Sequence, residues 1–146
     1  MDRKDFFKSV CGFACIGSAL SFQSCTTTKI MNGNIIGDDC IIPLSDFETN
    51  TGTERKFKKY IVVTNQILQY PICVYRHSEQ EYTALWMRCT HQGTELQVFG
   101  DTLQCPAHGS EFNNKGSVQN GPADNKLRSF PVLIENGRLK ISLKAA

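Results

Sequence analysis

Two short stretches constrain this chain more than anything else in it: Cys89-Thr90-His91-Gln92-Gly93-Thr94 and Cys105-Pro106-Ala107-His108-Gly109-Ser110. Each carries one thiol and one imidazole, so two Cys and two His arrive as paired loops. Soft thiolates combined with imidazoles suit tetrahedral zinc or an iron–sulfur centre. Cys and His that merely fill a core are the bland alternative, and the Gly and Pro at fixed offsets around them argue against it.

A zinc site gathers four side chains on one ion, commonly from knuckle spacings. The second pair here has that x-x spacing, but the first is Cys-x-His, which is unusual for a zinc ribbon. The other arrangement is a two-iron, two-sulfide cluster with thiolates on one iron and imidazoles on the other.

Cys-Thr-His-x-Gly followed by Cys-Pro-x-His-Gly-Ser resembles the signature of the Rieske iron–sulfur proteins. The likeness continues through Glu111-Phe112 and Gly116 to Gly121-Pro122-Ala123, which is similar to the family's proline loop, and covers roughly Asp39 to the C-terminus. It implies one [2Fe-2S] cluster, with Cys89 and Cys105 as thiolates on a buried iron and His91 and His108 on an outer iron near solvent. Two neutral imidazoles in place of thiolates make electron uptake easier, giving a range of roughly −150 to +300 mV against about −400 mV for plant-type clusters. Gly93 and Gly109 are expected to let backbone N–H groups approach the cluster sulfurs. Ser110 is expected to donate its hydroxyl to a bridging sulfide, and Pro122 to cover the cluster.

Three positions depart from the high-potential pattern of that family. Thr94 and Ala107 stand where it carries a pair of bridged Cys, so the cluster and local packing must hold these loops. Phe112 stands where a Tyr hydroxyl bonds a ligand sulfur, which predicts a potential in the middle of the range. Gln92 follows the first His where respiratory members carry an apolar Leu, which puts quinol oxidation in doubt but not electron transfer.

With 146 residues and a net charge of +2, the chain is bounded to one domain with one modest core, and nothing in its charge calls for nucleic acid. Its seven Cys are an odd number, which argues against a simple disulfide scaffold. Cys40 and Cys73 fall in expected strands as small apolar groups, with a bond between them an open option in an exported protein. His77 reads as a surface residue, and Trp86 and Phe130 as core.

The first 25 residues read as an export leader. Arg3, Lys4 and Lys8 precede an apolar run from Val10 to Phe22, shorter than the about 20 residues a spanning helix needs. Arg3-Lys4-Asp5-Phe6-Phe7-Lys8 resembles a twin-arginine export motif with Lys in the second Arg position. Phe22-Gln23-Ser24-Cys25 resembles a bacterial lipobox with Cys25 as the lipidated residue. Residues 26–38 read as a flexible tether, and 39–146 as the Rieske domain, with a cluster-binding subdomain at about 88–123.

That domain is expected to be all-β, an antiparallel β sandwich with the cluster-binding unit inserted between late strands. Strands are predicted at Cys40–Leu44, Phe57–Val63, Ile72–Arg76 and Glu81–Arg88, with a polar, turn-rich stretch over Ser45–Thr53. A short hairpin, Glu95–Phe99 with Thr102–Gln104, spaces the ligand loops. Leu127–Ile134 and Arg138–Leu143 form another, turning at Asn136-Gly137, a strong type I′ signal.

The function expected is one-electron transfer by a bacterial protein tethered to a membrane on its periplasmic face, serving a redox partner protein or a respiratory complex. Its imidazoles can release a proton in the oxidised state, so the potential is expected to rise as pH falls. A soluble Rieske ferredoxin donating electrons to an oxygenase is the alternative. A complete oxygenase is excluded by arithmetic: it needs two further His for a mononuclear iron, and this chain has three in all.

Overall fold

Two runs of consecutive apolar residues, Tyr60-Ile61-Val62-Val63 and Ile72-Cys73-Val74-Tyr75, set the architecture, because strands apolar on both faces must be covered on both. The computed structural model, which describes residues 27–144, places them at the centre. The strands, in chain order, are β1 (Ile30–Asn32), β2 (Asn34–Ile36), β3 (Asp39–Pro43), β4 (Glu48–Thr51), β5 (Glu54–Phe57), β6 (Tyr60–Thr64), β7 (Ile72–Arg76) and β8 (Tyr82–Trp86). They continue with β9 (Gln97–Phe99), β10 (Thr102–Gln104), β11 (Glu111–Asn113), β12 (Val118–Asn120), β13 (Ser129–Phe130), β14 (Val132–Glu135) and β15 (Arg138–Ser142).

The central sheet has the order β1-β6-β7-β8-β13. Pairing aligns Val62 with Cys73 and Cys73 with Leu85, and these side chains pack toward the ligand loops together with Tyr75, Met87, Leu103 and Phe112. The alternate residues Ile61, Val63, Ile72, Val74 and Ala84 pack the other way, against Cys40, Ile42, Leu139 and Ile141 of a second sheet, β14-β15-β3-β2. Residues 87–128 leave the central sheet after β8 and return at β13, which pairs with β8 through Ser129 opposite Leu85. The excursion forms its own sheet, β12-β11-β10-β9, whose strands connect the two ligand loops. The all-β sandwich with an inserted unit is therefore the observed plan. One pair departs from antiparallel order: β1 runs parallel to β6.

Several local expectations need correction. The stretch expected as a flexible tether folds: Ile30 pairs with Val62, Met31 packs on the core, and β2 pairs with β3. Three-residue strands are too short to display a period, and their junction, Gly33, sits where a Cβ would lie 2.6 Å from both Cys40 Sγ and a Val63 methyl. The stretch read as polar and turn-rich holds a 3₁₀ turn at Leu44–Phe47 and the β4–β5 hairpin. The late hairpin is split by Pro131 into β13 and β14, but its turn has φ of +50° at Asn136 and +72° at Gly137, as type I′ requires. Cys40 and Cys73 are free and lie on opposite faces of the central sheet, so no bond joins them. His77 is half-buried, with Nε2 2.8 Å from Thr83 Oγ1. The leader and Cys25 lie outside the described residues. Among the described residues no helix is long and apolar enough to cross a membrane.

Candidate metal centre

The two ligand loops have the same backbone plan. Cys89 N–H donates to Thr94 O at 2.8 Å and Gly93 N–H to Cys89 O at 2.9 Å. In the second loop Cys105 N–H donates to Ser110 O at 2.8 Å and Gly109 N–H to Cys105 O at 3.0 Å. Closing such a turn takes φ of +76° at Gly93 and +79° at Gly109, a region that side chains disfavour. The amides of these glycines are therefore spent on the cysteine carbonyls. In the second loop the backbone N–H groups that reach the Cys105 sulfur come from Ala107 and His108, while the Gly109 amide closes the turn.

The four ligand candidates come together as two unlike pairs. Cys89 and Cys105 are 1% and 2% exposed and belong to the same buried cluster as Leu103 and Phe112. His91 and His108 are exposed, with ring centroids 5.1 Å apart and planes at 87°. Burial works to raise the Cys105 pKa, but backbone N–H groups of His108 and Ala107 and the Cys89 and Thr94 side chains outweigh it, and the thiol ends below its ordinary value. Among the described residues no three His, Cys, Asp or Glu converge as ligands of a single ion. Thiols inside and imidazoles outside suit two bridged metals, one per pair, better than one tetrahedral zinc. The residues fit a [2Fe-2S] cluster.

The neighbours lock the loops from several sides. Ser110 is fully buried, and its Oγ accepts the Ala123 N–H at 3.0 Å, leaving its hydroxyl proton free to be donated elsewhere. Pro122 itself is exposed, while Ala123 is buried against the second loop. Thr90 Oγ1 donates to Asn125 O at 2.7 Å, so the same segment also holds the first loop. Phe112, on β11, stands opposite Leu103 of β10 and is wholly buried.

Two participants escaped the sequence reading. The Tyr70 hydroxyl donates to Gly93 O at 2.6 Å. The Arg88 guanidinium lies against Gly93, 3.0 Å from where a Cβ would stand, and over the rings of Tyr70 and Trp86. A Tyr before Pro71 reads only as a strand boundary, and its target is 23 residues away.

Comparisons with known proteins agree with this geometry. The Rieske [2Fe-2S] domain family matches residues 48–131. The cytochrome b6-f complex iron-sulfur subunit of Chlorobaculum tepidum is 29% identical over 119 residues, 79% of this chain and 56% of its own length. The toluene-4-sulfonate monooxygenase system iron-sulfur subunit TsaM1 of Comamonas testosteroni is 30% identical over 82 residues, 50% of this chain and 23% of its own length. The chain thus spans little more than half of one relative and under a quarter of the other. In fold it is similar to the plasma membrane Rieske protein PetC3 of Synechocystis PCC 6803, with a TM-score of 0.50 and 23% identity over 57% of this chain and 86% of that one.

Proposed function

This chain belongs to the Rieske [2Fe-2S] domain family, and we propose that it is a one-electron carrier tethered to the periplasmic face of a bacterial membrane. The observation that carries the electron-transfer reading is the division of the site, with two thiols inside and two imidazoles at the surface. A [2Fe-2S] cluster, when bound, takes up and releases one electron. Cys89 and Cys105 would hold its inner iron, and the burial around them keeps water from the thiolates. His91 and His108 would hold the outer iron and offer their ring edges to a redox partner. Gly109 and Gly93 hold the turns, and Ser110 supplies a buried hydroxyl proton to the site. Phe112 fills the place beside the thiols without a donor, which supports a mid-range potential.

The addressing rests on the leader: a basic start, an apolar run and a lipobox-like Phe22-Gln23-Ser24-Cys25. The redox partner is a respiratory complex or another electron-transfer protein. Exposed Gln92 beside His91 weighs against quinol as the direct donor. That residue, with Thr94 and Ala107 in place of bridged Cys, favours as second reading a soluble ferredoxin serving an oxygenase.

Fractionation of cells expressing the full chain separates the readings. The carrier proposed here stays with the membrane and yields a red-brown, iron- and sulfide-containing protein on detergent extraction. Cytosolic protein would overturn the tethering, and a colourless zinc protein would overturn the cluster. A midpoint potential near the top of the family's range would restore quinol as donor.

A further inference from the structure

The β4–β5 hairpin, the chain entry and the tip of the β9–β10 hairpin enclose an open hollow of about 860 Å³. Lys56, Lys58, Lys59, Phe57 and Phe99 line it. A second depression shares Thr28, Val98 and Phe99 with it and extends the surface to Ile30. Ile30 and Phe99, which share the second depression, are 66% and 58% exposed, a degree that calls for a partner; Phe57, 40% exposed, carries the Arg76 guanidinium 4.0 Å from its ring. Lys59 pairs with Asp101 at 3.1 Å, but among the described residues Lys56 and Lys58 have no acidic partner. Glu48 stands opposite Phe57 across the β4–β5 hairpin and Glu54 lies at its tip, while Glu95 lines the second depression.

We infer that this face is a bilayer-contacting surface, in which Lys56 and Lys58 take anionic phospholipid headgroups while Ile30 and Phe99 enter the interface. Interleaved lysines and large apolar side chains are what the boundary between headgroups and acyl chains selects. The path of the chain points the same way. Thr28 is already fixed by Tyr60, hydroxyl to hydroxyl at 3.0 Å, and Lys29 by Asp46 at 2.8 Å. Only two residues lie between Cys25 and Thr28, a reach of at most ~10 Å over three Cα steps. The inference rests on the reading of Cys25 as a membrane anchor, which would press this face, and no other, against the lipid.

The arrangement also orients the redox site. The Gly100-Asp101 turn closes β9 and β10 at the end away from both ligand loops. With that end on the bilayer, His91 and His108 point toward the aqueous side, where a soluble partner reaches them.

The test uses the full-length holoprotein carrying Cys25→Ser, so that no acyl chain contributes. It is mixed with vesicles of phosphatidylglycerol and phosphatidylcholine, or of phosphatidylcholine alone, and sedimented. The expectation is binding to the anionic vesicles that falls as salt rises. Lys56→Gln/Lys58→Gln should weaken that binding roughly 25-fold, about fivefold per lysine, and Arg at both positions should restore it. Phe99→Ser should weaken it too, with an unchanged visible spectrum reporting an intact fold. Every variant shares the leader, so only the lysine-dependent part counts. Equal binding with and without the lysines overturns the inference. So does retention on immobilised polyglutamate without vesicle binding, which would assign the face to an acidic protein. Detergent partitioning and intact mass of the unmutated chain test the anchor separately: an unlipidated, water-phase protein removes that reading while the vesicle result still decides the face.

Discussion

The Ala123 amide donates to the Ser110 hydroxyl oxygen at 3.0 Å, with both residues buried. This one bond ties the proline segment to the second ligand loop and orients the serine, whose proton is then available to the metal site. Ser110, expected from the sequence as a donor to the cluster, is therefore also a strut between two segments.

Ser110→Ala should therefore act in two ways. Losing a donor to a charged acceptor, worth about 1.5–3 kcal/mol, should lower the midpoint potential by roughly 60–130 mV, with about 59 mV per tenfold change in a one-electron couple. The orphaned Ala123 amide should cost about 1–3 kcal/mol of stability. Redox titration and thermal melting of the same sample read both effects. A lower melting temperature at an unchanged potential would leave Ser110 as a strut only.

Cys89→Ala should abolish iron and sulfide binding and loosen both loops, because ligation contributes directly to their folding. The central sheet, with its own two-sided core, should persist by circular dichroism. Cys73→Ala, on the same side of that sheet but outside the loops, should keep the colour and lose on the order of 1 kcal/mol. A colourless Cys73 variant would mean that this thiol touches the site.

Tyr70→Phe removes the hydroxyl that holds Gly93 O and keeps the ring against Trp86, 5.2 Å between centroids. About 1 kcal/mol of loop stability should go with it, seen as severalfold faster loss of visible absorbance in chelator. An unchanged bleaching rate would show that Arg88 and the Thr90–Asn125 bond suffice.

Alkaline pH should expose the two core thiols. Burial pushes Cys40 up to about 11 and Cys73 up to about 12 from an ordinary value near 9, the Tyr75 contact offsetting a little of the Cys73 shift. Folded pKa values above the unfolded ones favour the native state fully below pH 9. That contribution is lost as pH climbs through 11 and 12 while the unfolded thiols ionise. Denaturation midpoints should fall above pH 9, and more gently in a Cys40→Ala/Cys73→Ala double variant. Equal slopes would place the alkaline transition elsewhere.

The site was legible in the sequence wherever chemistry needs particular residue types at short range. Cys89 with His91, and Cys105 with His108, could be named as candidate ligands because each pair is set by a turn of a few residues. The β9–β10 and Asn136-Gly137 hairpins were legible for the same reason: each turn and its flanking strands are contiguous. The pairing of Tyr70 with Gly93, of Ser110 with Ala123 and of Ile30 with Val62 was not. These contacts join distant segments through a single hydroxyl or a three-residue strand, too little to leave a period or a motif.

The amino-acid sequence by itself determined the candidate ligand set, the all-β character and the two-sided burial of β6 and β7. Those follow from donor chemistry, branched side chains and runs apolar at every position. Only the tertiary structure decided that 30–36 folds onto the domain, that the glycine amides serve the turns, and that Lys56, Lys58 and Phe99 share one face with the chain entry. Each of those outcomes depends on which remote backbone lies alongside, a choice made by the packing of whole sheets rather than by any single stretch of chain.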